Sequence, residues 1–127
     1  MGEFVARIPA AVDRLFAEAL SAGDLDSALA MYEDDATYVD GHGTHAHGKE
    51  DIRAALAELI AQRPTLDCYE IDVVENGDLA VLRARWTYSG TNPDGTTYES
   101  QGRSIEVVRR QPDGSWRFTI DLPNGAS

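Results

Sequence analysis

The stretch Val12–Ile52, VDRLFAEALSAGDLDSALAMYEDDATYVDGHGTHAHGKEDI, decides the fold. It reads as helix, tight break, second helix, short strand, loop and the start of a third helix. Just upstream, Pro9 suits a first helical turn, where its missing N–H costs nothing. Ile8, Val12, Leu15, Phe16, Ala19 and Leu20 recur at helical spacing and give one apolar face. Gly23 supplies the left-handed residue that ends such a helix. Asp24 is a good N-cap for the second helix, whose buried stripe is Leu25, Ala28, Leu29 and Tyr32. Glu33, Asp34 and Asp35 oppose the negative end of the helix dipole, so this run is expected to form a solvated turn. Over Ala36–Asp40, alternation places Ala36, Tyr38 and Asp40 on one strand face and Thr37 and Val39 on the other. Gly41–Gly48 reads as a loop. The third helix turns Ile52, Leu56, Leu59 and Ile60 inward and stops at Pro64.

Outward from this unit, the N-terminal Met1–Arg7 reads as a frayed lead-in. The second half reads as a meander. Leu66–Glu75 is rich in β-branched and aromatic residues, and Asn76-Gly77 is a strong hairpin signal. In the strand Leu79–Ser89, Leu82, Ala84, Trp86 and Tyr88 share one face, with Val81, Arg83 and Arg85 on the other. Asn92-Pro93-Asp94-Gly95 turns the chain. Thr96–Arg110 is a further strand, with Ser104, Glu106 and Val108 on one face and Ile105 and Val107 on the other. After Pro112-Asp113-Gly114, the last strand runs from Trp116 to Leu122. Helices first and antiparallel strands second imply an α+β fold, a curved sheet with helices packed on one face. The mouth of such a cone is where small ligands bind.

A length of 127 residues fits one domain spanning 1–127, with 43% hydrophobic and 26% charged residues as in ordinary globular chains. The formal net charge of -11, from 22 acidic and 11 basic residues, opposes nucleic-acid and anionic-membrane partners. Cys68 is the only cysteine, which excludes an internal disulfide and a cysteine zinc site. No stretch reads as a signal peptide or membrane span, so a cytoplasmic protein is expected.

Several segments carry a resemblance: FAEALSAGDLDSALAMYEDDATYVDGHG, then HGKEDIRAAL, GDLAVLRARWTYSG, GRSIEVVRRQPDGSWRF and the closing Ile120-Asp121. Together they resemble the SnoaL-like proteins of the nuclear-transport-factor-2-like superfamily, over nearly the whole chain. The chain is similar to the small bacterial branch that includes accessory proteins of enediyne biosynthesis. The resemblance implies a cystatin-like cone with three helices on the concave side of the sheet, and a homodimer formed through the outer sheet face. The superfamily includes steroid isomerases, epoxide hydrolases, dehydratases, polyketide cyclases and non-catalytic members, so fold alone does not fix the chemistry. Laid on the steroid isomerases, the general-base Asp falls on Asp40, the helix-one Tyr on Phe16, and the second Asp on Glu106. The tyrosine hydroxyl is thereby lost, and the same oxyanion hole is not expected. The epoxide-hydrolase arrangement lacks support too, because strand parity turns Arg83 and Arg85 away from Trp86.

The candidate catalytic residues are therefore Asp40, Glu106 and Asp121. Asp40 is expected to point into the cone between Tyr38 and Trp86 with a raised pKa, the alternative being a cap on the Gly41 turn. Glu106 interrupts an apolar strand, as a pocket acid or as an outward residue paired with an arginine. Asp121 shares strand parity with Thr119, and either faces the cone or caps a strand end. Phe16, Tyr38, Trp86 and Tyr88 are the expected ligand contacts. His42, His45 and His47 could suit a metal, but the glycines around them leave the loop loose. A solvated lid at the pocket mouth, with no metal and no cofactor, is expected. The sequence thus points to a hydrophobic small-molecule partner and cofactor-free isomerase or cyclase chemistry, with a non-catalytic ligand-binding or dimeric assembly module as the alternative.

Overall fold

The computed structural model describes residues 4–127. In chain order the elements are α1 (Pro9–Ser21), α2 (Leu25–Leu29), β1 (Tyr32–Val39), β2 (His45–His47), α3 (Gly48–Ile60), β3 (Thr65–Asn76), β4 (Leu79–Thr91), β5 (Thr97–Arg110) and β6 (Trp116–Leu122). The strands form one sheet in the order β2-β1-β6-β5-β4-β3. Only the β1–β6 pairing is parallel among the strand pairs of this sheet. The three helices cover the concave side, as the α+β expectation requires.

Local chemistry explains the first turns of the chain. Pro9 opens α1 behind Ile8, which has no capping side chain. Ile8 itself is 57% exposed, so it does not belong to the apolar face assigned to it. Gly23, at φ +72°, ends α1 in a Schellman arrangement, its N–H bonding Leu20 O while Asp24 N–H bonds Ala19 O. Asp24 caps α2 by accepting from the backbone N–H and hydroxyl of Ser27 at 3.1 and 2.6 Å.

Three expectations about the first half need correction. The second helix ends at Leu29, and Tyr32 opens β1 instead of closing the helix. Pairing with β6 wins over helical propensity, since Tyr32 sits opposite Phe118 in the sheet. Glu33-Asp34-Asp35 belongs to that strand, bowed out between the two places where β1 meets β6. The glycine-histidine loop contains the short strand β2, paired with β1 from Thr37–His47 to Val39–His45. As for the lead-in, Met1–Glu3 lie outside the described residues. Ala6 is fully buried, and its carbonyl accepts from Trp116 N–H at 2.9 Å, so the chain is docked at this residue.

The second half follows the alternation closely. Leu82, Ala84 and Tyr88 are buried on β4 and Ser104, Glu106 and Val108 on β5, while Arg83, Arg85 and Arg103 face out. The β3–β4 hairpin closes one residue later than expected, with Gly77–Asp78 as its two-residue loop and Gly77 at φ +62°. Bulges bend the sheet into its cone: register slips between Tyr69 and Asp72 on β3, and at Thr119 on β6. The core between sheet and helices is built from Val12, Leu20, Tyr32, Ile52, Leu56, Leu82 and Phe118.

Candidate functional site

The cone encloses a cavity of about 410 Å³, inside the size range of small-molecule sites. Its walls are mostly aromatic and apolar: Phe16 and Leu20 from α1, Tyr38 from β1, Leu66 and Cys68 from β3, Trp86 and Tyr88 from β4, Tyr98 from β5 and Phe118 from β6. Gly41, His42, Pro123 and Asn124 also border it.

Three carboxyl groups interrupt these walls. Asp13 comes from α1, Glu106 from β5 and Asp121 from β6, and their residues are 2%, 4% and 4% exposed. The Asp13 and Glu106 carboxyls lie close enough to interact, and the Ser104 hydroxyl also reaches Glu106. Among the described residues, no hydroxyl or N–H donates to Asp13 Oδ2 or Glu106 Oε1. Among the described residues no ion pair reaches any of the three acids. Burial, and for Glu106 also the nearby charges of Asp13 and Asp121, pushes all three carboxyls above their ordinary range. The physical reason is that two carboxylates in contact inside an apolar wall cannot both ionise, so the pair retains a proton.

Asp121 stands differently. The hydroxyl of Tyr32, a fully buried residue, donates to its Oδ2 at 2.5 Å. Burial raises the Asp121 pKa to about 6, and the Tyr32 hydrogen bond opposes the rise. Tyr32 is itself fixed by edge-on packing against Phe16 and by Phe118, whose ring centroid lies 4.9 Å away. The site therefore holds a protonated pair beside a carboxyl poised close to neutrality.

Of the residues singled out in the sequence, Phe16, Tyr38, Trp86, Tyr88, Glu106 and Asp121 all border this one cavity. Asp40 does not, and the expectation for it is corrected. Its Oδ1 accepts the backbone N–H groups of His42 and Thr44 at 2.8 and 2.9 Å, closing the turn that follows β1. These bonds hold its carboxyl below the usual range instead of above it. A short carboxylate next to a glycine turn is drawn to the turn's free N–H groups, and this satisfies it outside the cone. Asp121 reaches the cone by a different route from strand parity. Val107 pairs with Ile120 and Val108 with Phe118, so Thr119 is the extra residue of a bulge. Phe118 and Asp121 consequently both face inward, while Ile120 is 40% exposed.

His42 borders the cavity, whereas His45 and His47 lie on β2. His47 Nδ1 is 2.9 Å from Thr37 Oγ1. Among the described residues no group of three histidine, cysteine or acidic side chains is placed to hold a metal ion.

Three participants are absent from the sequence reading. Asp13 is the most important, and a signal for it exists: it is three, four and seven residues before Phe16, Ala17 and Leu20, inside the apolar stripe. Tyr98 and Gln62 have no such signal. Gln62 Oε1 accepts the hydroxyls of both Tyr88 and Tyr98, at 2.6 and 2.5 Å, and this ties the end of α3 to β4 and β5. Trp86 is fixed as well, its indole N–H donating to Pro123 O at 2.6 Å. Gly102 permits this position, because a β-carbon there would lie 2.5 Å from Trp86 Cζ2.

Solved structures of nuclear-transport-factor-2-like proteins share this fold. The profile of the SnoaL-like domain matches residues 12–118, and the chain belongs to that family. Solved structures of the same fold include a ketosteroid isomerase-like protein from Erwinia carotovora atroseptica, 19% identical over 88% of each chain with a TM-score of 0.76. Another is a protein with a cystatin-like fold from Novosphingobium aromaticivorans, 19% identical over 91% of this chain and 80% of that one, TM-score 0.73. A third is a candidate calcium/calmodulin-dependent protein kinase II association domain from Xanthomonas campestris, 20% identical over 89% and 81%, TM-score 0.79. Among proteins of curated function none matches the sequence. Among the described residues, no helix is long and apolar enough to cross a membrane.

Proposed function

We propose that the protein binds a small, largely apolar molecule in the cone and moves a proton on it without a cofactor, in the manner of an isomerase or cyclase. The observation that carries this reading is the Asp13–Glu106 pair, buried, in mutual contact and opening on a cavity with aromatic walls. Proton transfer needs two groups with pKa values pushed apart by their surroundings. Asp121 suits the base: its pKa near 6 leaves it ionised at pH 7, and the Tyr32 hydrogen bond aims it. The pair suits the group that gives a hydrogen bond or proton to the ligand's polar atom, since it holds a proton where water is scarce. The apolar walls would exclude solvent and fix a flat ligand between the two.

A second observation supports self-association. Val74, Val81, Val107 and Ile120 line up in register across β3, β4, β5 and β6, and all but the half-buried Val107 are at least 36% exposed. Such a stripe on an open sheet face fits a homodimer, and the association-domain name of the Xanthomonas protein agrees with it. Dimerisation and proton transfer use opposite faces of the sheet and do not compete.

Deuterium uptake from D2O into the carbons next to the carbonyl of a panel of bicyclic enones, followed by NMR, tests the catalytic reading. The wild-type protein is expected to speed the exchange, and Asp121→Asn to slow it by roughly 10²–10⁴-fold. Binding of the enones without exchange would make the protein a ligand carrier.

A further inference from the structure

The Asp13–Glu106 pair has no cationic partner. Among the described residues no lysine or arginine borders the cavity, whose one ordinarily basic side chain is His42, and the hydroxyl that reaches Glu106 is that of Ser104. Asp13 Oδ2 and Glu106 Oε1 are buried and, among the described residues, without donors, and the groups that carry them border the cavity. In the free protein a proton held between them meets this need. A ligand could meet it better by bringing positive charge and several N–H donors together, as an ammonium group does. The surrounding aromatic walls favour the same kind of group, because ring faces attract a desolvated cation. An anion meets the reverse: three buried carboxyls inside a chain of net charge -11.

We propose that the ligand carries a basic nitrogen at its inner end, held as a cation by the carboxyls of Asp13 and Glu106, on a flat apolar body seated against Tyr38 and Trp86. This rests on the reading of the cone as a small-molecule site, and it names the ligand class of that site. A neutral amine entering the cone takes the proton the pair shares, the same donation proposed above for the ligand's polar atom, and the carboxylate left behind faces the resulting ammonium group. Asp121, already held by Tyr32, remains free for its own role.

Calorimetry at pH 7 with three probes of one shape separates the possibilities: 2-naphthylmethylamine as the cation, 2-naphthylmethanol as the neutral form and 2-naphthoate as the anion. The amine is expected to bind most tightly and the naphthoate least. Glu106→Gln keeps the side-chain shape and should weaken the amine by at least about tenfold, the scale of a lost buried charge partner. The alcohol, which carries no charge, should lose clearly less affinity than the amine. Asp13→Asn removes the other half of the pair and decides the matter should Glu106→Gln fail to fold, as judged by circular dichroism. Tighter binding of the alcohol than the amine, or an amine preference that survives in the folded variants, overturns the cation assignment and leaves the small-molecule site intact. Failure of all three probes to bind overturns the site reading as well.

Discussion

Asp40 and Glu106 are both acids at strand ends or within strands, yet their surroundings act on them in opposite directions. Two backbone N–H groups hold Asp40 in its charged form, whereas burial against Asp13 holds Glu106 in its neutral form. The sign of each effect on stability follows. Asp13, Glu106 and Asp121 have folded pKa values above their unfolded ones, so the folded state retains protons that the unfolded state has lost. Their contribution is complete below about pH 4 and is lost as pH rises through the folded values, from about 6 for Asp121 upward. Turn and cap residues such as Asp24 and Asp40 act the other way, losing their contribution as pH falls below the ordinary carboxylate range. The melting temperature should therefore be higher at pH 5 than at pH 8. Glu106→Gln should flatten the decline above pH 6, and an unchanged slope in that variant would contradict the assignment. Asp40→Asn should cost less than about 1 kcal/mol, since asparagine caps turns nearly as well, and should leave proton transfer unaffected. A steep loss of exchange activity in Asp40→Asn would restore it to the catalytic machinery.

Strand parity served well on β4 and β5, where a continuous hairpin ladder keeps every second residue on the same face from Leu79–Arg109 to Thr91–Thr97. The inward positions of Trp86, Tyr88 and Glu106 were legible for that reason. Parity failed on β6 because one extra residue at Thr119 resets the alternation, and a bulge has no distinct composition. The boundary between α2 and β1 was hidden for a related reason: Tyr32 fits either element, and only its pairing with Phe118 decides. Asp13 was missed because an aspartate in a helix ordinarily faces water, and its partner Glu106 lies 93 residues away in sequence. Gly102, inside β5, makes room for the indole of Trp86. Gly102→Ala should push Trp86 off its seat and cost about 1–3 kcal/mol. A lowered melting temperature with altered tryptophan fluorescence would verify this, while an unchanged spectrum would argue against it.

The whole molecule divides its labour between the two faces of one sheet. The concave face and helices enclose the acids; the convex face carries the valine–isoleucine stripe among arginines. Its Arg83 and Arg85 pair with Asp72 and Glu70 from β3. A net charge of -11 disfavours self-association over long range, so the apolar stripe must supply the attraction and salt should strengthen it. Light scattering at micromolar concentration should give a dimer mass, and Val81→Asp, placed mid-stripe, should give a monomer with an intact fold. A wild-type monomer at that concentration would refute the dimer.

A carboxyl of the cavity is expected to stay protonated at neutral pH. Carboxyl-carbon NMR across a pH titration, with Glu106→Gln and Asp121→Asn for assignment, reads its state. The expected result is one Glu106 signal still in its protonated position at pH 7 and one Asp121 signal with its midpoint near pH 6. Titration of every acidic side chain below pH 5 would contradict it.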